Sequence, residues 1–459
     1  MSPSLVSSLS SLLSSVPVPS SLSSLYLLHV HPFVPFLTSS PPVLYTLVFL
    51  LLQYVLYRRV FLPKQFPSKN FLDPKSNDYV KRRLKCFMPP YPNGWYAVCN
   101  TADLSNGSVK SIVAFGRHLV AFREGVSNKV GVLHAFCPHM EAHLGQGGKV
   151  VGDTLVCPFH EWKFTADGKC RDIPYMKEGT QVPERAKTKS YPAVELLGVV
   201  YAWFHVEPEH ENTPLWQLSA ASDLARGVEK GDYYFAVMRQ LQFSQHICEM
   251  AMNSADPFHF LTLHGPFPVP GIEKVVHGVH RISAEYGEGR VEGKVVSAEH
   301  LTLFKEKTEG LYFNKFAFLG KWNPLSGVAV PLSEWMSSMV TMDVTFEGPS
   351  IMHFEMTTPL GKMRQVKSIL PVGPFDMYIE SRWYAEKTIP TLMVQFIAYV
   401  GAKALEQDRQ VWEHKMFNTK PMLAPNGDGP FPAFIRWYKT FYSEGSKKAA
   451  MDNEGKTEW

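Results

Sequence analysis

Charged side chains are missing from the start of this chain. From Met1 to Tyr57 the sequence has no Asp, Glu, Lys or Arg, and the net charge of the whole chain is only +4. The remaining sequence shows no basic stripe, so we do not expect nucleic acid as a partner. Its 459 residues are enough for two or three domains with hydrophobic cores of their own.

Cysteine is also scarce, with six residues in the whole chain and none after Cys248. That number excludes a disulfide scaffold of the kind found in small secreted proteins. Two of the six, Cys137 and Cys157, are each followed by Pro and, within three positions, by His. Sparse cysteine beside histidine indicates a reducing compartment and metal binding.

The uncharged N-terminus divides into two parts. Residues 1–40 are rich in Ser, Leu and Pro, and we expect this low-complexity part to be disordered. Val43 to Tyr57 is a nearly unbroken apolar run. Extended to Leu62, it gives a helix of about 20 residues and about 30 Å, near the thickness of a bilayer core. We therefore predict a membrane segment at residues 41–62, either spanning the bilayer or lying in its plane.

Basic residues follow this apolar segment. Arg58 and Arg59 lie at its end, and a basic linker occupies residues 63–88. The positive-inside rule then places the rest of the chain in the cytosol. The alternatives are a signal peptide, which needs a basic start that is missing here, and a plastid transit peptide, which usually carries Arg.

Residues 89–206 have the pattern of a small all-β domain. Strand candidates are Ser111 to Phe122 and Val130 to Phe136. Asn106-Gly107 is a turn signal, and Lys149 to Val156 is a hairpin candidate.

Residues 207–440 have a mixed pattern, which predicts an α+β domain. Gln240 to Leu263 is predicted to be helical around Ile247–Met252, and residues 275–380 alternate like strands. Ile389 to Met416 has helical periodicity. Residues 441–459 are a charged tail, for which we expect disorder. The fold class is α+β, an all-β domain followed by this second domain.

Two Cys-His pairs form the first motif with chemical meaning. Cys137-Pro138-His139 is followed, after 17 residues, by Cys157-Pro158-Phe159-His160. In a Rieske [2Fe–2S] centre, two thiolates hold one iron and two imidazoles hold the other. A Cys2His2 zinc site instead has the spacing Cys-x2–4-Cys and His-x3–5-His. The pairs therefore predict a Rieske cluster on Cys137, His139, Cys157 and His160.

A second cluster of polar residues begins at Asn253 and continues through Asp256 and His259 to His264. Two histidines and one carboxylate leave open positions on a ferrous ion for dioxygen and substrate. Two nearby histidines alone are a weak signal, since such residues are often structural. Downstream of a Rieske motif they become candidate ligands of a mononuclear iron.

The stretch CPHMEAHLGQGG, with CPFHEWKF downstream, resembles the Rieske domains of the Rieske non-haem iron oxygenases. The order of features resembles one branch, the Neverland-type cholesterol 7-desaturases. These features are the hydrophobic N-terminus, the PPYPNGWYAV entry, the CPFHEWKF loop, and Asp408, Trp412, His414 and Lys415 near the end. The resemblance covers roughly residues 80–440, and it implies a helix-grip-like antiparallel sheet with helices for the second domain. Glu141 and Glu161 depart from it, because many relatives have Gly there.

The resemblance implies roles for particular residues. The third ligand of the mononuclear iron would be Asp408, with Glu406 and Glu413 as rivals and a solvated acidic helix face as the plain alternative. Asp256 would bridge a Rieske histidine of a neighbouring subunit to an iron-bound histidine in a homotrimer. Asn253 would be a polar residue close to the iron.

The implied activity is conversion of cholesterol to 7-dehydrocholesterol by removal of one hydrogen each from C7 and C8. It would use O2 and electrons from an NAD(P)H-dependent reductase or a ferredoxin-type donor. A single-pass anchor in the endoplasmic reticulum would place the enzyme beside its sterol. Rival interpretations are a Rieske 3-ketosteroid hydroxylase, a chlorophyll-catabolic oxygenase and, outside enzymes, a Rieske electron-transfer protein.

Overall fold

A computed structural model describes residues 88–256, 259, 263–264, 276–292, 294–313, 341–413, 422, 424 and 428–452. Among these residues, no helix combines the length and the apolar character needed to cross a membrane. The predicted membrane segment at 41–62 and the low-complexity residues before it lie outside the described residues.

Residues 88–206 form strands and one short 3-10 turn, as the alternating pattern predicted. The strands make three antiparallel sheets, with the orders β1-β11-β10, β2-β3-β4-β9 and β5-β6-β7-β8. Their bounds are β1 (Gly94–Asn100), β2 (Val109–Ala114), β3 (Arg117–Arg123), β4 (Val130–His134), β5 (Lys149–Val151), β6 (Thr154–Val156), β7 (Lys163–Phe164), β8 (Cys170–Asp172), β9 (Ser190–Tyr191), β10 (Ala193–Leu196) and β11 (Val199–Phe204).

The single strand predicted for Ser111 to Phe122 was wrong, because the segment is the hairpin of β2 and β3. Phe115 and Gly116 form its turn with positive φ values of 57° and 63°, as two-residue hairpin turns require. The same turn reaches the second domain, since the Phe115 N–H donates to the Pro371 carbonyl at 2.8 Å. An apolar run can therefore hide a turn when its central residues include a glycine.

The second domain is built on one antiparallel sheet of seven strands in the order β12-β18-β17-β16-β15-β14-β13. The strands predicted after residue 275 are confirmed in the described part of that region. The bounds are β12 (Tyr233–Phe243), β13 (Val276–Val291), β14 (Lys294–Phe313), β15 (Thr341–Glu347), β16 (Ile351–Thr358), β17 (Gly361–Gly373) and β18 (Asp376–Glu386).

Five described helices accompany this sheet: α1 (Ser222–Lys230), α2 (Ile247–Asn253), α3 (Thr391–Trp412), α4 (Phe431–Lys439) and α5 (Glu444–Asp452). The prediction for Gln240 to Leu263 was right for α2 and wrong at its start. Gln240 to Phe243 belong to β12, where exposed and buried residues alternate, a period of two that favours a strand.

The charged tail is also more ordered than its composition predicted. Residues 444–452 form α5, so the expectation of disorder is wrong for them. The Gly445 N–H donates to a carboxylate oxygen of Glu207 at 2.8 Å, and Ser446 is buried. An acidic group beside free N–H groups stabilises a helix start, and this partner lies far away in the sequence.

Helix α3 packs one face against the sheet. Its buried positions Val394, Ala398, Leu405, Asp408 and Trp412 recur at intervals of three, four or seven residues, which places them on one side of an α-helix. Leu405 and Trp412 share a hydrophobic core with side chains from the sheet. A carboxylate at position 408 is thus carried into the interior by an otherwise apolar face.

Candidate functional site

The two Cys-His pairs lie on two loops of the first domain, one between β4 and β5 and the other between β6 and β7. The thiols are buried, with Cys137 1% and Cys157 2% exposed. His139 is exposed and His160 is partly exposed. The loops therefore present thiol groups on the inside and imidazole groups toward the surface.

Both loops have the same backbone construction. In each, the N–H of the residue four positions after the cysteine donates to the cysteine carbonyl, from Glu141 at 2.9 Å and from Glu161 at 3.2 Å. These two residues have φ values of 56° and 55°. That left-handed conformation favours glycine, so the loops hold glutamate in a conformation that glycine adopts more easily.

Aromatic contacts fix the two imidazoles. The His139 and His160 rings lie 4.7 Å apart between centroids. Trp162 stacks on His139 at 4.7 Å with an interplanar angle of 7°, and its Nε1–H donates to the Tyr175 hydroxyl at 2.7 Å. The indole thus limits the rotation of an exposed ring that would otherwise have several rotamers.

The donor set suits a two-iron cluster. Burial, the main cause, and the adjacent Cys157 raise the pKa of the Cys137 thiol to about 12. Such thiols ionise when a metal replaces their protons. The described residues include one group whose side chains converge closely enough to hold a single metal ion, and none of these four ligands belongs to it. In a Rieske cluster the two thiolates bind one iron and the two imidazoles bind the other.

That other group consists of His259, His264 and Asp408, each of which offers a ligand atom within 4.8 Å of the others. Their side chains are 11%, 11% and 4% exposed. The two imidazole rings stand 5.1 Å apart at 79°. The structure therefore brings together three residues that are separated by up to 149 positions in the sequence (Asp408 minus His259).

Asp408 is the buried carboxylate of this group. Its Oδ1 lies 3.0 Å from Nε2 of His264, but the oxygen is buried and makes no hydrogen bond of acceptable geometry with the described residues. An unsatisfied buried carboxylate oxygen is costly. A cation between the three side chains would remove that cost, so the residues present fit a mononuclear metal ion.

The rival carboxylates on the same helix have other partners. Glu406 pairs with Lys403 at 2.7 Å. Glu413 accepts from the Ser244 N–H at 3.0 Å. Asp408 is thus the acidic residue of this helix that faces the two histidines. Because its side chain is 4% exposed, it does not belong to a solvated acidic helix face.

Both histidines are oriented through Nδ1. This atom of His259 lies 2.5 Å from the Asp256 carbonyl oxygen, and that of His264 lies 3.1 Å from Oε1 of Gln407. Since these oxygens are acceptors, Nδ1 carries the proton and Nε2 keeps its lone pair for a metal.

The two imidazoles differ in their proton affinity. Burial lowers the pKa of His259. Burial acts in the same direction on His264, but the adjacent carboxylate of Asp408 outweighs it and raises the pKa of His264. The carboxylate of Asp408 therefore makes His264 the more basic of the two imidazoles.

Asn253 lies beside the trio at the end of α2. Its Nδ2 is 2.9 Å from Nε2 of His259, and its Oδ1 accepts from Trp412 Nε1–H at 3.2 Å. Because the indole can only donate, it fixes which end of the amide faces His259. Asn253 therefore contacts a candidate ligand, and Trp412 orients its amide.

Asp256 contacts His259 mainly through its backbone. Besides the carbonyl contact, Oδ1 accepts from the His259 N–H at 3.4 Å, and Oδ2 is 4.0 Å from Nδ1. The side chain is 42% exposed. It therefore presents a carboxylate at the surface directly behind a candidate ligand.

Comparisons with protein families match both halves of the chain. The Rieske [2Fe-2S] domain family matches residues 94–192, and the 3-ketosteroid 9alpha-hydroxylase C-terminal domain family matches residues 202–442. Together with the two sites, these matches define an oxygenase class with a Rieske cluster and a mononuclear iron as cofactors.

Curated relatives narrow this class. The cholesterol 7-desaturase of Xenopus laevis is 31% identical and is aligned over 82% of this chain and 77% of its own length. The Drosophila melanogaster cholesterol 7-desaturase is 30% identical, over 78% and 77%. A probable 3-ketosteroid-9-alpha-monooxygenase oxygenase component of Rhodococcus rhodochrous is 26% identical, over 79% and 83%. The chain belongs to the family of Rieske oxygenases that includes the cholesterol 7-desaturases, and it is an oxidoreductase.

Solved structures agree on the fold. Dicamba monooxygenase bound to dicamba superposes with a TM-score of 0.54 at 15% identity, covering 80% of this chain and 99% of that one. Pseudomonas putida NdmA with caffeine gives 0.52 at 17%, covering 78% and 94%. The predicted α+β class, with a Rieske domain and a sheet-rich second domain, is thereby confirmed.

Sequence reasoning missed three residues that support the sites. Gln407 orients His264, Trp162 stacks on His139, and the role of Trp412 toward Asn253 was not foreseen. Gln407 and Trp162 stand beside predicted ligands, so adjacency was a usable signal. The contact of Trp412 with α2 joins residues that are 159 positions apart, and the sequence around Trp412 does not predict it.

Proposed function

We propose that this protein is a membrane-anchored sterol desaturase that converts cholesterol to 7-dehydrocholesterol. The observation that carries the proposal is the buried trio of His259, His264 and Asp408 in a chain whose similar relatives are cholesterol 7-desaturases. A Rieske electron-transfer protein would have no use for a second metal site with open positions.

In this proposal Cys137 and Cys157 hold one iron of the cluster, and His139 and His160 hold the other. His259, His264 and Asp408 hold the mononuclear iron. When bound, the cluster supplies single electrons and the mononuclear iron supplies dioxygen activation and C–H cleavage. The chain itself orients both imidazoles through Nδ1, holds the Asp408 carboxylate beside His264, and shields the trio from bulk water.

The overall reaction balances without a further reagent. Two hydrogens leave the sterol at C7 and C8, and one O2, two electrons and two protons are consumed. The products are a carbon–carbon double bond and two molecules of water. The electrons come from NAD(P)H through a reductase or a ferredoxin-type donor.

A homotrimer would bring the two metal sites of different subunits together. Around the exposed imidazoles lie the apolar side chains Met140, Phe159 and Tyr175, which are 59%, 59% and 60% exposed. Exposed apolar clusters of this kind mark interaction sites. We infer that this rim docks against the catalytic domain of the next subunit, where the half-exposed Asp256 carboxylate would accept a hydrogen bond from His139 or His160.

Domain assignments follow the same proposal. Residues 89–206 are the Rieske domain, residues 207–440 the catalytic domain, and residues 41–62 the membrane segment after a low-complexity start. An anchor in the endoplasmic reticulum with the catalytic part in the cytosol would give the enzyme access to a substrate that partitions into lipid.

The test is sterol analysis of cells that lack this activity, transformed with the gene and fed cholesterol. The expected product is a conjugated diene with the mass of cholesterol minus two hydrogens, and none should form with His259→Ala. A hydroxysterol would instead support the second candidate, a steroid hydroxylase, which the match of residues 202–442 to a ketosteroid hydroxylase domain favours. Absence of any sterol product from a metal-loaded enzyme would contradict both.

A further inference from the structure

A lysine stands on the side of the seven-stranded sheet that faces α3. In antiparallel strands, directly paired residues point to the same face, and Lys367 on β17 pairs with Met352 on β16. Met352 belongs to the same hydrophobic core as Leu405 and Trp412 of α3. The Lys367 side chain therefore projects into the region between the sheet and the helix that carries Asp408.

Its surroundings are mostly apolar. The Lys367 ammonium lies 4.7 Å from the centre of the Phe354 ring. Among the residues described, no carboxylate or hydrogen-bond acceptor contacts it, and the charge acting on it is that of Asp408 at longer range. Burial lowers the pKa of Lys367 to about 8. Lys367 and Phe354 nevertheless remain only partly buried, so both retain surface that a ligand can reach.

Two further donors lie beside it on the same face. Gln365 pairs with Phe354 on one side and with Trp383 on the other. Gln365 is 7% exposed, and its amide makes no hydrogen bond with the described residues. Trp383 Nε1 is buried and likewise has no partner among them. We call Gln365, Lys367 and Trp383 the donor cluster.

Within the described part of the chain, the donor cluster lacks acceptors in a largely apolar setting. Buried polar groups are normally hydrogen-bonded, so the unpaired Trp383 Nε1 is costly, and the partly buried Lys367 ammonium has an aromatic ring in place of part of its hydration. A ligand that removes this cost must bring an oxygen acceptor on a largely apolar body. A sterol fits that description, since its hydroxyl or keto oxygen is the one polar atom on a hydrocarbon frame.

Resting on the function proposed above, we propose that Lys367 determines substrate specificity by donating a hydrogen bond to the oxygen substituent of the bound sterol. Gln365 and Trp383 assist as neighbouring donors. Anchoring that oxygen on the sheet fixes how far the rigid ring system reaches toward the trio, and so selects the carbon atoms that face it. The residue recognises the substrate and takes no part in electron transfer.

The test is equilibrium binding of tritiated cholesterol to the iron-loaded full-length protein in detergent. Cholest-5-ene, which lacks the oxygen, and cholest-5-en-3-one, which keeps an acceptor, serve as competitors. The variant is Lys367→Met, with a similar shape and no charge. The matched control is Lys362→Met on the same strand, an exposed lysine that contacts Glu355 at 3.4 Å. The visible spectrum of the cluster and the third iron atom per chain report that the first and second domains of each variant are folded.

Wild type and the Lys362 control should prefer cholesterol and the ketone to cholest-5-ene by about 10- to 150-fold, the range for a hydrogen bond to a charged group. Lys367→Met should bind all three equally, and Lys367→Gln should keep part of the preference. A preference unchanged in Lys367→Met, or an equal loss for all three sterols, would overturn the role of Lys367. A wild type that binds no sterol would instead overturn the proposed function.

Discussion

Replacing Asp408 by Asn tests the composition of the mononuclear site with little change in shape. The side chain is 4% exposed, and its Oδ1 lies 3.0 Å from Nε2 of His264. Losing a charge-assisted contact at such a buried position costs about 1.5–3 kcal/mol, which is a factor of roughly 10–150 in iron affinity. A neutral amide oxygen is also a poorer ligand for a ferrous ion than a carboxylate.

The assay is iron and acid-labile sulfide per chain, measured together with turnover. Wild type should contain about three iron atoms and about two sulfides, two of the irons in the cluster and the third in the mononuclear site. Asp408→Asn should keep about two of each, retain the visible spectrum of the cluster and lose turnover.

Glu406→Gln is the matched control, because Glu406 lies on the same helix and pairs with Lys403. This variant should keep the third iron and its activity. If Asp408→Asn kept the third iron while Glu413→Gln lost it, the ligand assignment would be refuted.

Three further substitutions test the cluster, the contact between Trp412 and Asn253, and the buried carboxylate of Glu347. Cys157→Ser should lose the visible absorption of the cluster, because one of its two thiolates is gone, and a retained spectrum would be incompatible with the ligand set. Trp412→Phe removes the donor to Asn253 and should lower kcat by roughly 2- to 12-fold without changing the cluster spectrum; unchanged kcat would mean that this contact does not orient the amide. Glu347→Gln should lower the free energy of unfolding at pH 7 by about 1.5–3 kcal/mol. Burial raises the pKa of Glu347, but His353 and two backbone N–H groups hold it below 4.5. The stabilisation is therefore complete above about pH 4.5 and is lost as the pH falls through the folded-state pKa. Urea unfolding at pH 7 and in acid measures this difference, and an equal difference at both would contradict it.

Local motifs could be predicted from the sequence, and long-range arrangements could not. The pairs at Cys137 and Cys157 are recognisable because each loop carries its own ligands a few residues apart. The buried face of α3 is periodic, so a carboxylate at position 408 could be placed on a helix. That it meets His264 depends on how α3 packs on the sheet, which periodicity does not encode.

The errors have the same physical origin. Residues 240–243 were assigned to a helix because the apolar residues of α2 follow directly, whereas pairing with β18 makes them a strand. Residues 444–452 looked disordered from composition, but a carboxylate at Glu207 caps them. Lys367 was not predicted to be a site residue, because it is one lysine in a strand with an alternating pattern. Only its position opposite α3 distinguishes it from Lys362, five residues earlier.

The activity proposed for this chain is the removal of two hydrogens from a sterol without the addition of oxygen. The most direct measurement is turnover of cholesterol by the purified, iron-loaded protein under ¹⁸O2, with NAD(P)H and a reductase, followed by mass spectrometry of the sterol. The expected product is a conjugated diene two hydrogens lighter than cholesterol and free of ¹⁸O. A product that gains an ¹⁸O-labelled hydroxyl and contains no diene would contradict it.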